Sequence, residues 1–213
     1  MNTIVVLGMH RSGTSLVANV LRALGVHMGT EFLEPDEGNE EGYWEDTLWL
    51  GINKHILANA GGDWKNPPPL KDVLVLRDKV AKLIKQAVGK RVGEGYRLWG
   101  FKDPRTCLTI NLLHDFLPYP RYIVVRRPTR DIVRSLSKLH GNEQDWLNLA
   151  RIYENRISYF LNSTKMEKCD VANVQFDDLV TQRYSFDSVV WLSHWLGIEG
   201  EEEKATSIIK IRR

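Results

Sequence analysis

The chain has 213 residues, which is long for one domain and short for two, so its length favours a single domain over residues 1–213 with one sizeable core. Hydrophobic residues make up 43% and charged residues 26%, which are ordinary values for a globular protein. The formal net charge of +2 excludes a strong global attraction to nucleic acid or to an acidic membrane surface, so an anion site must be a local cluster.

Targeting signals and cysteine content indicate where in the cell the protein is located. The amino terminus has no charged segment followed by a long apolar run, and no window reaches about 18 uninterrupted apolar residues. Two cysteines, Cys107 and Cys169, cannot build a disulfide framework, which favours reduced thiols. We therefore expect a cytoplasmic protein that does not span a membrane.

The first predicted unit is a strand, a glycine loop and a helix. Residues 4–8 form a wholly apolar run rich in β-branched side chains, which is typical of a strand buried on both faces of a parallel sheet. Apolar residues then recur at helical spacing from Leu16 to Leu24, and Gly25 follows as a C-terminal cap. This order is typical of the start of an α/β domain.

The remaining elements are predicted from apolar periodicity and from turn residues. In chain order they are an exposed acidic loop over 28–45, a helix carrying Leu48, Ile52, Ile56 and Leu57, a proline-rich break at 61–70, a helix over 71–88, strands over 96–102 and 121–127, helices over 130–139 and 143–163, a strand over 172–176, and a helix over 186–196. The charged tail from Glu199 is predicted to be a frayed end.

Strands that alternate with helices predict an α/β fold, a three-layer sandwich with a mainly parallel sheet flanked by helices. In such sheets ligands bind outside the carboxyl ends of the strands. The loops that follow Leu7, Lys102 and Val125 are therefore expected to converge on one site.

The segment "GMHRSGTS", residues 8–15, has the spacing of a phosphate-binding loop. Gly8 and Gly13 permit a tight turn and a close backbone approach to an anion, while Thr14 and Ser15 add hydroxyl donors in the first helical turn. The amide of Ser12 lies within the same turn. A helix amino terminus adds about half a positive charge.

The cation of this loop is displaced from the usual place. In the pattern G-x-x-x-x-G-K-[ST], lysine reaches the β and γ phosphates and the final hydroxyl binds magnesium. Here Thr14 stands in the place of lysine, and Arg11 lies inside the loop. Arginine stays protonated and donates from two nitrogens to two oxygens, which suits a phosphate or sulfuryl group.

These residues resemble the 5′-phosphosulfate loop of the sulfotransferase family. The resemblance implies a P-loop-like fold and a donor, 3′-phosphoadenosine 5′-phosphosulfate (PAPS), that leaves as adenosine 3′,5′-bisphosphate. It also implies that the donor is bound by Gly8, Arg11, Ser12, Gly13, Thr14 and Ser15. Many members have lysine at the position of Arg11, and arginine is a poor proton donor to a leaving phosphate.

A second segment, "VVRRPTRDIVRSLSK", resembles the family's 3′-phosphate motif, in which an arginine at a strand end and a serine in the next helix bind that phosphate. Ser135 lies eight positions after Arg127. The proline is displaced by one from the commoner R-x-P form, so Arg126 and Arg127 are both candidates.

The resemblance further implies in-line transfer of a sulfuryl group to an acceptor hydroxyl, without a metal. In glycan-type members a glutamate from a region similar to "GYWED" takes the acceptor proton. Glu45 is the first candidate for this base, with Asp46 as an alternative, and Tyr43 and Trp44 are candidate walls for a sugar or aromatic acceptor.

"GFKDPRT", residues 100–106, is common in bacterial-type members of the family and follows another predicted strand. Lys102 is a candidate contact for the sulfuryl group, Asp103 a candidate base or a partner that orients Arg11, and Arg105 a candidate acceptor contact. His10 is a further candidate base, since imidazole exchanges protons near neutrality.

Two other functions compete with this interpretation. A P-loop kinase or nucleotide hydrolase would use Ser15 to bind magnesium and Asp103 as the carboxylate partner of the metal, but Thr14 argues against it. A nucleotide-binding regulator would keep the fold without turnover. The expected partner is a small-molecule or glycan acceptor, and no motif names the acceptor, the adenine contacts or the oligomeric state.

Overall fold

The centre of the protein is a parallel β-sheet. The computed structural model describes residues 2–35, 42–163, 166–167 and 169–211, and within these ranges the sheet has four strands in the order β2-β1-β3-β4, every pair parallel. The strands are β1 Asn2–Leu7, β2 Leu98–Lys102, β3 Pro120–Arg126 and β4 Val171–Gln175. The predicted α/β class and the predicted strands are confirmed, with ends shifted by one or two residues.

Helices cover both faces of the sheet. In the described part of the chain they are α1 Thr14–Ala23, α2 Thr47–Asn59, α3 Leu70–Leu74, α4 Arg77–Gly93, α5 Thr106–Leu113, α6 Thr129–His140, α7 Glu143–Leu161, α8 Phe176–Val180, α9 Ser185–Leu196 and α10 Glu202–Ser207. A short 3₁₀ turn, His114–Phe116, joins α5 to β3. No described helix is both long enough and apolar enough to cross a bilayer.

Alternating side chains of β1 divide the core into two parts. Val5 and Leu7 pack in a cluster with residues of α2 to α7, whereas Ile4 and Val6 pack in a second cluster with α1, α9 and α10. This alternation follows from the two-residue period of a strand. The apolar run over residues 4–7 of β1 therefore reflects burial on both faces, as expected for a central parallel strand.

Three features differ from the sequence expectation, and the first is the helix predicted over 71–88. It is divided into α3 and α4, with a break at Val75 and Leu76. The periodicity did not reveal the break because Val73, Leu76 and Val80 are all buried and continue a helical spacing across it.

The second difference is α5, a helix that apolar periodicity did not predict. All eight of its residues are buried, so it has no polar face to produce a helical period. The third is the charged tail. Instead of fraying, it contains α10, and its Ala205 and Ile209 are buried in the cluster that holds α1 and α9. The acidic loop over 28–45 is described only outside residues 36–41.

The carboxyl ends of the strands meet along one edge of the sheet. In the register of the sheet, Lys102 lies beside Val6, Leu7 beside Val124, and Arg126 beside Gln175. The segments that leave β1, β2 and β3 consequently begin close together, which brings the glycine loop, the "KDPR" turn and the "RRP" turn to one place.

Candidate active site

The glycine loop between β1 and α1 depends on both of its glycines. Gly13 has φ +97°, and a Cβ atom there would lie 2.0 Å from the Phe176 ring. At Gly8 a Cβ atom would lie 2.6 Å from the Ser12 hydroxyl. The loop also holds Arg11 at φ +67°, a left-handed conformation that costs an L-residue of order 1–3 kcal/mol.

Arg127 supports the strained part of this loop. Its Nη1 donates a hydrogen bond to the backbone carbonyl of Arg11 at 2.7 Å, and its guanidinium lies 4.7 Å from the centre of the Phe176 ring. Arg11 in turn donates from Nε to the hydroxyl of Ser135, on α6, at 2.9 Å. The structure thus brings together residues of the two motifs that the sequence separated by more than a hundred positions.

Arg126 and Arg127 lie in different surroundings although they are neighbours. Arg126 donates from Nε to Asn173 Oδ1 on β4 at 3.4 Å. Arg127 instead lines two neighbouring cavities. Geometry therefore distinguishes Arg127 from Arg126, which the sequence left as a rival candidate.

The first cavity has a volume of about 280 Å³ and lies at the mouth of the glycine loop, between α1 and the segment 42–45. The second has a volume of about 350 Å³ and lies along α6, lined by Arg127, Asp131, Arg134, Ser135 and Lys138. Arg127 lines both cavities. A ligand with two anionic groups can thus place one in each cavity while Arg127 contacts both.

Glu45, at the wall of the first cavity, lies between two cations. Its Oε1 accepts a hydrogen bond from Lys102 Nζ at 3.0 Å and its Oε2 one from Arg105 Nη1 at 3.1 Å. The side chain of Glu45 is 3% exposed. Burial lowers the pKa of Lys102, and the attraction of Glu45 opposes that change.

Asp103 lies behind this cluster and does not line the cavity. Its Oδ1 accepts from Arg105 Nη1 at 2.8 Å and its Oδ2 from Asn53 Nδ2 at 2.9 Å. Burial raises the pKa of the Asp103 carboxyl, against the opposing charge of Arg105. The sequence predicted that Asp103 orients Arg11, but the hydrogen bonds of its carboxylate go to other residues. Asp103 holds Arg105 in place and, through Asn53, contacts helix α2.

Asp46, the alternative candidate for the base, has a structural role in the contacts of helix α2. Its Oδ1 accepts from the backbone amide of Leu48 at 2.8 Å, which caps the amino terminus of α2. Its other oxygen pairs with the buried guanidinium of Arg91. Burial raises the pKa of Asp46, and Arg91 counteracts this. Asp46 holds α2 against α4 and lies outside the set that lines the first cavity.

His10 lines the first cavity from the loop itself. Its ring centre lies 4.3 Å from that of Trp64, and its Nε2 atom is buried without a hydrogen-bond partner in the described structure. Burial holds the pKa of His10 well below its usual value, and the charges of Arg105, Lys102 and Arg11 lower it further. The imidazole is consequently neutral near pH 7 and able to accept a proton.

A family model for sulfotransferases matches residues 3–198, which is most of the chain and includes the whole cavity wall. The chain belongs to the sulfotransferase family. Comparison with curated proteins finds no sequence match.

Solved structures show the same fold. The sulfotransferase STF1 from Mycobacterium tuberculosis superposes with a TM-score of 0.53 at 15% identity, over 97% of this chain and 70% of that one. The sulfotransferase domain of the Synechococcus PCC 7002 olefin synthase gives 0.52 at 15% identity, over 97% and 76%. A sugar kinase from Janibacter sp. HTCC2649 gives 0.51 at 16%, over 93% and 95%.

Two residues of this sulfotransferase site carried no signal in the sequence. The thiol of Cys107, at the start of α5, accepts a hydrogen bond from the Gly8 amide at 3.2 Å, and burial raises the pKa of that thiol to about 12. Phe176, after β4, packs on Gly13 and Arg127. Neither residue lies near the loop in the chain, so local patterns do not reveal them.

Proposed function

We propose that this sulfotransferase moves a sulfuryl group from PAPS to an acceptor hydroxyl. The observation that carries the proposal is the contact between the two anion-binding motifs, in which Arg127 donates to Arg11 and Arg11 donates to Ser135. Two cavities that share Arg127 in their linings suit a ligand that carries a 5′-phosphosulfate and a 3′-phosphate.

In this proposal the 5′-phosphosulfate lies at the amino terminus of α1. The Arg11 guanidinium, the amides of residues 12–14 and the Thr14 hydroxyl stabilise the charge that develops there, while Gly8 and Gly13 let the backbone approach. Ser12 Oγ is buried without a partner among the described groups, which fits a hydroxyl available to a ligand. Arg127 and Ser135 bind the 3′-phosphate.

The transfer is an in-line displacement. The acceptor oxygen forms a bond to sulfur, the bond from sulfur to the bridging oxygen breaks, and adenosine 3′,5′-bisphosphate leaves with the electron pair of that bond. Lys102, at the end of β2, lines the cavity and contributes positive charge toward the bridging oxygen, while its three N–H groups are held by Ser15, Tyr43 and Glu45. Because the charge is neutralised by fixed cations and helix dipole, the proposed reaction uses no metal.

The acceptor proton passes to Glu45 or to His10, both of which line the cavity. Glu45 already receives hydrogen bonds from Lys102 and Arg105, whereas His10 is neutral and its Nε2 has no described partner. Comparing Glu45→Gln with His10→Gln separates the two, because only loss of the base should remove the ascending limb of the pH profile of kcat.

The acceptor binds on the Tyr43 and Trp44 side of the cavity. These residues form an aromatic wall. The guanidinium of Arg22 lies over the Trp44 ring, 4.2 Å from the ring centre. An aromatic wall beside fixed polar groups suits a carbohydrate or a small hydroxylated metabolite. A screen of such acceptors with radiolabelled PAPS identifies the substrate.

Thermal shift measurements test the donor. Adenosine 3′,5′-bisphosphate should raise the melting temperature without added metal, and 5′-AMP at the same concentration should not, because binding to the native state stabilises it by RT ln(1 + [L]/Kd). Arg127→Ala should remove the shift and the adjacent Arg126→Ala should keep it. Stabilisation only by magnesium with ATP would instead support the kinase or nucleotide hydrolase.

A further inference from the structure

The ammonium group of Lys102 occupies a cage of three oxygens at the start of α1. Its Nζ donates to the Ser15 hydroxyl at 3.1 Å, to the Tyr43 carbonyl at 2.8 Å and to Glu45 Oε1 at 3.0 Å. The side chain is 1% exposed. An ammonium has three donors, so these contacts satisfy it fully.

Ser15 of this cage stands at a position that binds metal in other phosphate loops. In nucleotide-binding loops of the form G-x-x-x-x-G-K-[ST], the hydroxyl two residues after the second glycine is the one that binds magnesium. Ser15 stands two residues after Gly13, and here its hydroxyl accepts a hydrogen bond from a lysine that a different strand supplies. The group that would bind a metal binds an ammonium instead.

The other cage atoms are also typical ligands of a hard cation. Carboxylate, carbonyl and hydroxyl oxygens are preferred by Mg²⁺ and Mn²⁺, which commonly use one carboxylate from the protein together with water and phosphate oxygens. Within the described residues no group of three histidine, cysteine or acidic side chains could hold a metal. The Lys102 ammonium occupies the cage, so a metal cation can enter it only if the ammonium leaves.

We propose that the Lys102 ammonium replaces a divalent cation at the phosphate loop, and that its removal converts the cage of Ser15, Tyr43 and Glu45 into a weak Mg²⁺ or Mn²⁺ site. This inference rests on the proposed function in one respect, namely that the loop binds its anion without metal. Lys102 is thus the residue that determines whether the loop is metal-free or metal-dependent.

Binding of Mn²⁺ by electron paramagnetic resonance tests the inference in the full chain. Lys102→Ala and the longer Lys102→Met should bind Mn²⁺ at least about tenfold more tightly than the wild type, since the Ser15, Tyr43 and Glu45 Oε1 oxygens lose the ammonium and Glu45 keeps only Arg105 at Oε2. Lys85→Ala, which removes an exposed lysine of α4, should behave like the wild type. Adding Glu45→Gln to Lys102→Ala should abolish the gain.

A melting-temperature readout keeps the test decisive if a Lys102 variant is destabilised. Mg²⁺ should raise the melting temperature of Lys102→Ala and leave that of the wild type unchanged. Folded Lys102 variants that bind Mn²⁺ no better than the wild type would overturn the inference, and so would a wild-type protein that binds Mn²⁺ at this cage. Sulfuryl transfer by the wild type in the presence of a chelator tests the proposed function separately, and it can succeed when the metal test fails.

Discussion

Arg11 has a left-handed backbone conformation and a side chain that reaches the neighbouring helix α6. Its carbonyl is held by Arg127 and its Nε by Ser135, so the guanidinium is fixed before any ligand arrives. A cation fixed in this way stabilises developing charge without a reorganisation cost. The loop thereby has its cation without a lysine at the position of Thr14.

Replacing Arg11 with alanine should lower kcat for sulfuryl transfer by about 100-fold or more, since it removes a positioned charge from the reacting group. Steady-state kinetics with labelled PAPS measure the loss. Arg11→Lys keeps the charge and should retain much more of the activity. Normal turnover in Arg11→Ala would contradict the assigned role.

Gly13→Ala should lower the free energy of unfolding, because the left-handed backbone alone costs an L-residue about 1–3 kcal/mol and the new methyl group meets Phe176. Urea denaturation measures this loss. Gly25→Ala is the matched control, because Gly25 has φ +94° and a methyl group added there would meet no heavy atom within 4 Å. Equal losses in the two variants would show that the contact with Phe176 is unimportant.

At the scale of elements, tertiary packing rather than the local sequence pattern explains helices α5 and α10. α5 is buried all round and therefore has no period, and α10 is formed from a charged segment that nevertheless buries Ala205 and Ile209. Glu203 and Lys204 of α10 are exposed, whereas Ala205 packs in the cluster that holds α1 and α9 and Glu202 accepts a hydrogen bond from Ser193 of α9. Composition alone does not distinguish such a segment from a frayed tail.

Ile209→Ala should therefore destabilise the protein by about 2–5 kcal/mol, the usual cost of removing a large buried aliphatic side chain. Ile209 is 7% exposed, whereas Ile211, two residues later, is 38% exposed. Ile211→Ala is the control and should cost much less. Chemical denaturation of the two variants gives the comparison, and equal stabilities would mean that the carboxyl-terminal segment does not pack as described.

At the scale of the whole molecule, the stability of the protein depends on pH through His10, which lines the first cavity. Its pKa is depressed by burial and by the charges of Arg105, Lys102 and Arg11. As pH falls through the unfolded value of about 6.5, the unfolded chain binds a proton that the folded chain does not, so stability decreases. Above that pH both states are neutral at this residue and the effect vanishes.

The free energy of unfolding of the wild type, relative to His10→Gln, should therefore decrease between pH 7 and pH 5 by up to about 1.4 kcal/mol per pH unit. Urea titrations of both proteins across this pH range measure the difference in their free energies of unfolding. The contribution of the carboxyl groups cancels, because both proteins contain the same ones. A difference that stays constant with pH would show that His10 titrates alike in the folded and unfolded chains.

The sequence by itself determined the features that depend on neighbours along the chain. Apolar runs predicted the strands, and glycine spacing predicted the loop between β1 and α1 with Arg11 as a candidate cation inside it, because backbone conformation and two-face burial act within a few residues. The family resemblance, carried by the same local motifs, led to the sulfotransferase family that the matching model shows.

Only the tertiary structure decided which distant side chains meet. It separated Arg127 from Arg126, since successive residues at a strand end point to opposite sides, and it placed Lys102 against Ser15 and Phe176 against Gly13. Those contacts depend on sheet order and on how helices pack over it, which are properties of the whole core. No local pattern encodes them, because each partner lies on a different element.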